Sequence, residues 1–389
     1  MAMPRNLRYA LLFALPLAIA FAGLGTSYLA LWRAGETIDP ITAARQQQEQ
    51  DVRYGSALFY RPRPYKIEGA TLRRADVILL GSSRAMQFVE TPWRESAFNA
   101  GGAMRDLESG EMFVDAVLKA YHPKQMIITL DWWWFSETRR PDAPSDASPE
   151  TPLTLHELMQ PAVWLWDGTL SFGELSSLLV DPGALKPGIG LSARFKYAGW
   201  NAFGHYDYGS LLAEQAGGND IGFQETLKDI ARKSKRNDRA PWNAFSAQTW
   251  QRLEALVTRL QEAGTEVIVV IPPVAKPIYD WLVEQPEPNL VKELQRHLGT
   301  LPALTFDFHD PATVGTDPCE FVDGMHGGEV SYLRVLDAMA TDPSSHLDHA
   351  VDRALIRQLI AGNAGHASLK HDDPDRAPEA DFNSLGCRK

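Results

Sequence analysis

Ala75-Asp76-Val77-Ile78-Leu79-Leu80-Gly81-Ser82-Ser83-Arg84 is the stretch on which the reading of this chain turns. Ala75 to Leu80 is a short apolar, β-favouring run, and a glycine ends it. A run of that length closed by a turn residue fits a buried parallel strand. Both serines and Arg84 then fall where the strand exits. Further on, Met112, Phe113, Ala116, Val117 and Ala120 recur at helical spacing between Asp106 and Tyr121. Asp106 and Glu108 sit at the end of that helix where acidic groups suit its dipole. A second apolar strand is expected over Gln125 to Leu130. The pattern returns over Gln248 to Ala263, with Trp250, Leu253, Leu256, Val257 and Leu260 on one face and Gly264 as the stop. Val267 to Ile271 gives a third strand closed by Pro272-Pro273. Val291 to Leu298 and Leu304 to Phe308 make a last helix and strand. Such alternation predicts an α/β fold: a parallel sheet with helices on both faces and a ligand site at the carboxyl ends of its strands. Ser83 and Asp131 belong to that edge.

Asp323-Gly324-Met325-His326 is the second informative string. A serine hydroxyl is a weak nucleophile near neutral pH, so an imidazole must take its proton and a carboxylate must fix the tautomer of that imidazole. Three-residue spacing on one turn lets Asp323 receive the N–H of His326 while the other ring nitrogen faces the serine. Ser83, at a strand-to-helix turn, also has its backbone N–H free to hold an oxyanion. Each string has a plainer reading. Ser83 could simply cap the following helix, and Asp323 to His326 could be a solvated loop before a helix that starts near Gly327. Of the 10 histidines, His309, His346, His349, His366 and His371 are expected at the surface, while His156 and His205 lie in a segment that could face the site.

With 389 residues the chain can bury the core of one large domain, and its net charge of -11 argues against a partner as anionic as nucleic acid. Tyr9 to Trp32 contains no charged residue and is as long as the roughly 20 apolar residues of a bilayer span. It reads as a transmembrane helix. Arg5 and Arg8 precede it, and only Arg33 follows before Glu36 and Asp39, which places the N-terminus in the cytoplasm and the rest outside. Ala20-Phe21-Ala22 resembles a signal-peptidase site, so a cleaved signal is the alternative. Either route exports the same domain. Cys319 and Cys387 could close a disulfide in an oxidising compartment or remain unrelated thiols. No Cys-x-x-Cys or His-x-x-x-His pair joins Cys319, Asp323 and His326 in a tetrahedral set, and no metal or cofactor is expected.

Gly81-Ser82-Ser83-Arg84 after a strand, Asn99-Ala100-Gly101-Gly102 beyond it and the late Asp323-x-x-His326 together resemble the SGNH (GDSL-type) hydrolase superfamily, over roughly residues 70–136 and 248–341. The chain is similar in particular to membrane-anchored members of exopolysaccharide and cell-wall acylation systems, which often carry Gly-Ser-Ser in place of Gly-Asp-Ser. The resemblance implies a three-layer, flavodoxin-like domain with Ser83 as nucleophile and Asp323 and His326 completing the triad. It implies an oxyanion amide from Gly101 or Gly102, with Ser82 replacing the family's aspartate. Arg84, Asn99, Asp131 and Trp132 are taken as the oxyanion and substrate-binding surroundings, Asp131 either supporting Arg84 or the substrate, or closing the strand. Two departures stand out. The glycine block lacks the usual Asn-x-Gly-x-x-Gly spacing, and Leu130-Asp131-Trp132 stands where the family offers Gly-x-Asn. Gly217-Gly218-Asn219-Asp220 spells that block but follows no strand, and is read as coincidence.

The chain then divides into an anchor (1–33), a stalk with a Gln-rich piece (34–69), an SGNH-like domain (70–345) with an insertion (136–245), and a C-terminal helix with a disordered tail (346–389). Trp132-Trp133-Trp134-Phe135, with Trp164, Trp166 and Trp200, could be platforms for sugar rings, core, or lipid-interface residues. Leu153 to Leu179 is either packed insertion or a surface against the membrane or a partner. The expected function is that of a serine esterase or O-acyltransferase in a bacterial-type inner membrane, its domain in the periplasm or outside. It would move or remove an acyl group, acetyl above all, on an envelope or secreted polysaccharide, with a membrane acyl-donor protein as a candidate partner. Two alternatives stand beside it: a non-catalytic scaffold or glycan-binding subunit on the same fold, and a hydrolase of small lipid or peptide esters.

Overall fold

The computed structural model describes residues 5–58, 61–139, 153–213, 220–235, 240–371 and 378–389. Helix α1 (Arg5–Ala34) opens the chain, and its Phe13–Ala34 portion is long and apolar enough to cross a membrane. The segment expected to be a stalk is folded onto the domain instead. Immediately after α1, the buried carboxylate of Glu36 accepts from Ser56 Oγ at 2.6 Å and from the amides of Ala57 at 2.9 Å, Leu58 at 3.2 Å and Leu191 at 2.7 Å. Helices α2 (Pro40–Gln50) and α3 (Pro62–Arg73) follow. Between them Arg53–Tyr54 joins a small second sheet with Gly188–Ile189, Gly199–Trp200 and Tyr206–Asp207. Tyr54, Tyr65 and Trp200 pack against one another there. Polar composition disguised this packing, because burial rests on a few aromatics rather than on a periodic apolar face.

Strand β1 (Val77–Gly81) is buried at every position, as an unbroken apolar run requires. With β2 (Ala97–Gly101), β3 (Gln125–Thr129), β4 (Glu266–Ile271) and β5 (Leu304–Asp307) it forms a parallel sheet in the order β2-β1-β3-β4-β5. That is the doubly wound order, with its switch point between β1 and β3. Period-two alternation divides the core. Ile78, Leu80, Met126, Ile128, Val267 and Val269 pack under helix α4 (Leu107–Ala120) and the helices Ala247–Glu262 and Leu290–Leu298. Val77, Leu79, Ile127, Ile268 and Val270 pack under Glu329–Met339 and Arg353–Asn363. Each such side chain stabilises the fold by about 1.5–3 kcal/mol on full burial. The four expected strands and three expected helices lie within a few residues of their predicted bounds. Strand β2 was not predicted: Phe98-Asn99-Ala100-Gly101 has no β-branched residue, and pairing with β1 imposes its extended form.

The insertion contains helices α5 (Leu155–Asp167) and α6 (Phe172–Val180), both packed on α1. The tail, expected to be disordered, packs where it is described. Phe382 and Asn383 are buried, Asn383 Nδ2 donates to the carbonyls of Phe321 and Val322, and Cys387 is bridged to Cys319.

Candidate active site

All five strands deliver residues to the carboxyl edge of the sheet. Ser83 begins a short 3-10 turn (Ser83–Gln87) directly after β1, and Ser82 caps it by accepting from the Arg84 amide at 3.2 Å. At the first position of this turn the Ser83 N–H has no intrahelical acceptor. Ser83 Oγ lies 2.9 Å from His326 Nε2, across 243 positions of sequence. His326 Nδ1 lies 2.9 Å from each Asp323 carboxylate oxygen. With Nδ1 carrying its proton and donating it in a hydrogen bond to the Asp323 carboxylate, Nε2 is the acceptor of the serine hydroxyl. Asp323 Oδ1 also takes the amides of Met325 at 2.7 Å and His326 at 2.8 Å, which closes the turn and fixes the ring. Burial disfavours the charged form of both partners, and their mutual attraction outweighs it: His326 titrates above, and Asp323 below, its ordinary value. The side chains of His326 and Asp323 remain 24% and 35% exposed, so the relay is open to solvent.

Beneath it lies a sealed polar cluster. Arg84 Nη1 donates to Asp131 Oδ1 at 2.9 Å, and Nη2 to the carbonyls of Pro272 at 2.6 Å and Pro273 at 3.2 Å, so one guanidinium ties together the ends of β1, β3 and β4. Asp131 thus supports Arg84, the first of the roles open to it. His309, just after β5, was expected at the surface but is fully buried, with its ring 5.6 Å from that of Trp132 and 5.7 Å from that of Tyr279. Burial, reinforced by the Arg84 charge, holds it neutral well below the ordinary histidine range.

The glycine block does not offer the expected oxyanion donors. The Gly101 amide donates to Asn99 Oδ1 at 2.7 Å, and the Gly102 amide to the carbonyls of Gly81 at 2.9 Å and Ser82 at 2.8 Å. Asn99 Nδ2 donates to the carbonyls of Ala85 and Phe88, so this residue also braces the nucleophile turn instead of facing a substrate. A Cβ on Gly101 would stand 2.6 Å from the Met86 amide nitrogen, so close approach of β2 to the turn explains that glycine. Trp132, Trp133, Trp134 and Trp200 are core, not sugar platforms; of the other two named for that role, Trp164 is half-buried against the α1–α6 cluster and Trp166, 92% exposed on α5, projects into the surroundings. His205 pairs with Glu329 at 3.0 Å, and His156 is exposed on α5.

Asp220 was missed. Its carboxylate accepts from the Gly324 amide at 2.8 Å and from the Thr226 amide at 3.0 Å, bracing the Asp323–His326 turn from within the insertion. Nothing in the sequence pairs it with a turn 104 positions away. His309 had a signal, since it follows a predicted strand at the edge where ligands bind. Gly217, Gly218 and Asn219 lie outside the described residues. No group of three or more metal-ligating side chains occurs among the described residues.

No family model matches this chain, and no match to it was found among curated proteins.

Proposed function

We propose that this protein is a membrane-anchored serine esterase or O-acyltransferase of the SGNH type, acting outside the cytoplasm on an acylated envelope or secreted polysaccharide. The observation that carries the reading is the Ser83–His326–Asp323 relay, because an unactivated serine has no need of an imidazole whose far nitrogen is held by a carboxylate. His326 Nε2 takes the Ser83 proton as Oγ bonds to the ester carbonyl carbon. The resulting oxyanion is held by the Ser83 amide. Collapse of the intermediate expels the alcohol with the proton returned from His326, leaving an acyl-Ser83. Water as acceptor then gives hydrolysis, and a sugar hydroxyl gives transfer. The apolar α1 supports single-pass anchoring in a bacterial-type inner membrane. The Cys319–Cys387 bridge supports an oxidising compartment for the domain.

A second reading, a glycan-binding or scaffolding subunit that has kept the fold, draws on the engagement of both glycine amides within the protein. Turnover of p-nitrophenyl acetate and of an acetylated polysaccharide by the purified full chain separates the two. Wild-type turnover that falls by about 10⁴-fold or more in Ser83→Ala, with an unchanged circular-dichroism spectrum, is the expected result. Equal turnover by the two proteins would refute the serine mechanism.

A further inference from the structure

The α5–α6 hairpin exposes apolar side chains that nothing among the described residues covers. On α5, Leu155, Met159, Val163 and Trp166 form one helical stripe, exposed at 65%, 46%, 45% and 92%. Between Leu158 and Trp166 every exposed residue is apolar: Met159, Ala162, Val163 and Trp166. On α6, Phe172 and Val180 are 77% and 79% exposed. The carboxylates at the starts of the helices are engaged locally: Glu157 accepts from the Thr154 amide at 2.7 Å and Glu174 from the Ser171 amide at 2.7 Å. A water-facing hairpin has polar residues at these positions.

Its placement relative to α1 identifies what covers it. The covered face of α1 runs through Leu24, Ser27, Ala30, Leu31 and Ala34, where Leu31 and Ala34 meet Leu178 of α6 together with Leu158, Leu165 and Leu175. Arg33 donates to the carbonyls of Leu178 and Leu179. Leu24 to Ala34 rises about 15 Å, roughly half of the ~30 Å hydrocarbon thickness that Phe13–Ala34 must match. A bilayer positioned on α1 therefore overlaps the hairpin.

We propose that α5 and α6 form a second membrane element, an interfacial hairpin sunk into the leaflet on the C-terminal side of α1, with lipid acyl chains against the Leu155–Met159–Val163–Trp166 stripe and Phe172. Trp166 fits such an interface, where indoles are favoured. The domain then sits on the membrane surface at a fixed height, because Glu36 and Arg33 lock α1 to it. The inference rests on the reading of α1 as an anchor.

The full chain in phosphatidylcholine–phosphatidylglycerol nanodiscs tests it, with nitroxide attached to Met159→Cys, Trp166→Cys or Phe172→Cys. The two native cysteines are bridged and do not label. Phe21→Cys on α1 reports the bilayer, and His349→Cys, at a side chain 84% exposed, reports water. Collision with a nickel chelate at the hairpin sites is expected to fall to the Phe21→Cys value while oxygen collision rises to match it. Hairpin sites as open to the chelate as His349→Cys, with Phe21→Cys shielded, would overturn the hairpin and leave the anchor. Hairpin sites closed to both reagents would overturn it in favour of a protein cover. Phe21→Cys open to the chelate would remove the anchor and the hairpin together.

Discussion

Two polar groups share the carboxyl edge of the sheet. In the Ser83–His326–Asp323 relay every proton has a recipient and solvent reaches the chain of bonds; in the Arg84–Asp131–His309 cluster the groups are sealed, and Arg84 Nε, Asp131 Oδ2 and both His309 nitrogens have no partner. Ser83 and Arg84 are sequence neighbours, yet one faces outward and the other anchors three strand ends. Charge near a nucleophile is thus not by itself chemistry. An accessible pair with aligned donors and acceptors can transfer a proton, whereas a buried pair mainly fixes backbone.

The largest effect that would sharpen this contrast is on the relay. His326 works as a base only when neutral, and its pKa is raised because the Asp323 carboxylate outweighs the opposing effect of burial. The ratio kcat/KM should therefore fall as pH drops through a value above the ordinary 6.5 of histidine. Asp323→Asn should move that limb toward acid and cut the rate by about 10⁴-fold. A limb unmoved by this substitution would detach Asp323 from the relay.

Arg84→Met addresses the sealed cluster, leaving Asp131 as a buried charge without its counter-ion. A loss of about 3–5 kcal/mol in denaturant unfolding is expected, largely recovered in Arg84→Met with Asp131→Leu. A stability like that of wild type in the single variant would break the contrast. A smaller effect is expected further out, where the disulfide closes a loop of 68 positions and ties the C-terminus beside the His326 turn. Cys319→Ser with Cys387→Ser should lower unfolding free energy by about 2–4 kcal/mol, read from the shift in denaturant midpoint. No shift would show that the hydrogen bonds of Asn383 hold the tail unaided.

What was legible in the sequence divides along the same line. Strands β1, β3 and β4 declared themselves because continuous apolar runs have few other uses, β5 because Leu304, Phe306 and Phe308 alternate with Thr305 and Asp307, and the two relay strings because their chemistry is local to a turn. Hidden features depended on distant partners. Strand β2 exists through its pairing with β1, Asp220 acts on Gly324, and Tyr54, Tyr65 and Trp200 meet only after the insertion returns to the segment following α1. The glycine block shows how local reading can mislead: Gly101 and Gly102 lie beside the nucleophile turn, but their amides are taken by Asn99 Oδ1 and by the carbonyls of Gly81 and Ser82.

Covalent labelling of the purified full chain by a fluorophosphonate tests the relay most directly. One adduct is expected, mapped by mass spectrometry to Ser83 and lost in both Ser83→Ala and His326→Ala. A folded wild-type protein that takes no label, or one labelled equally well after Ser83→Ala, would contradict it.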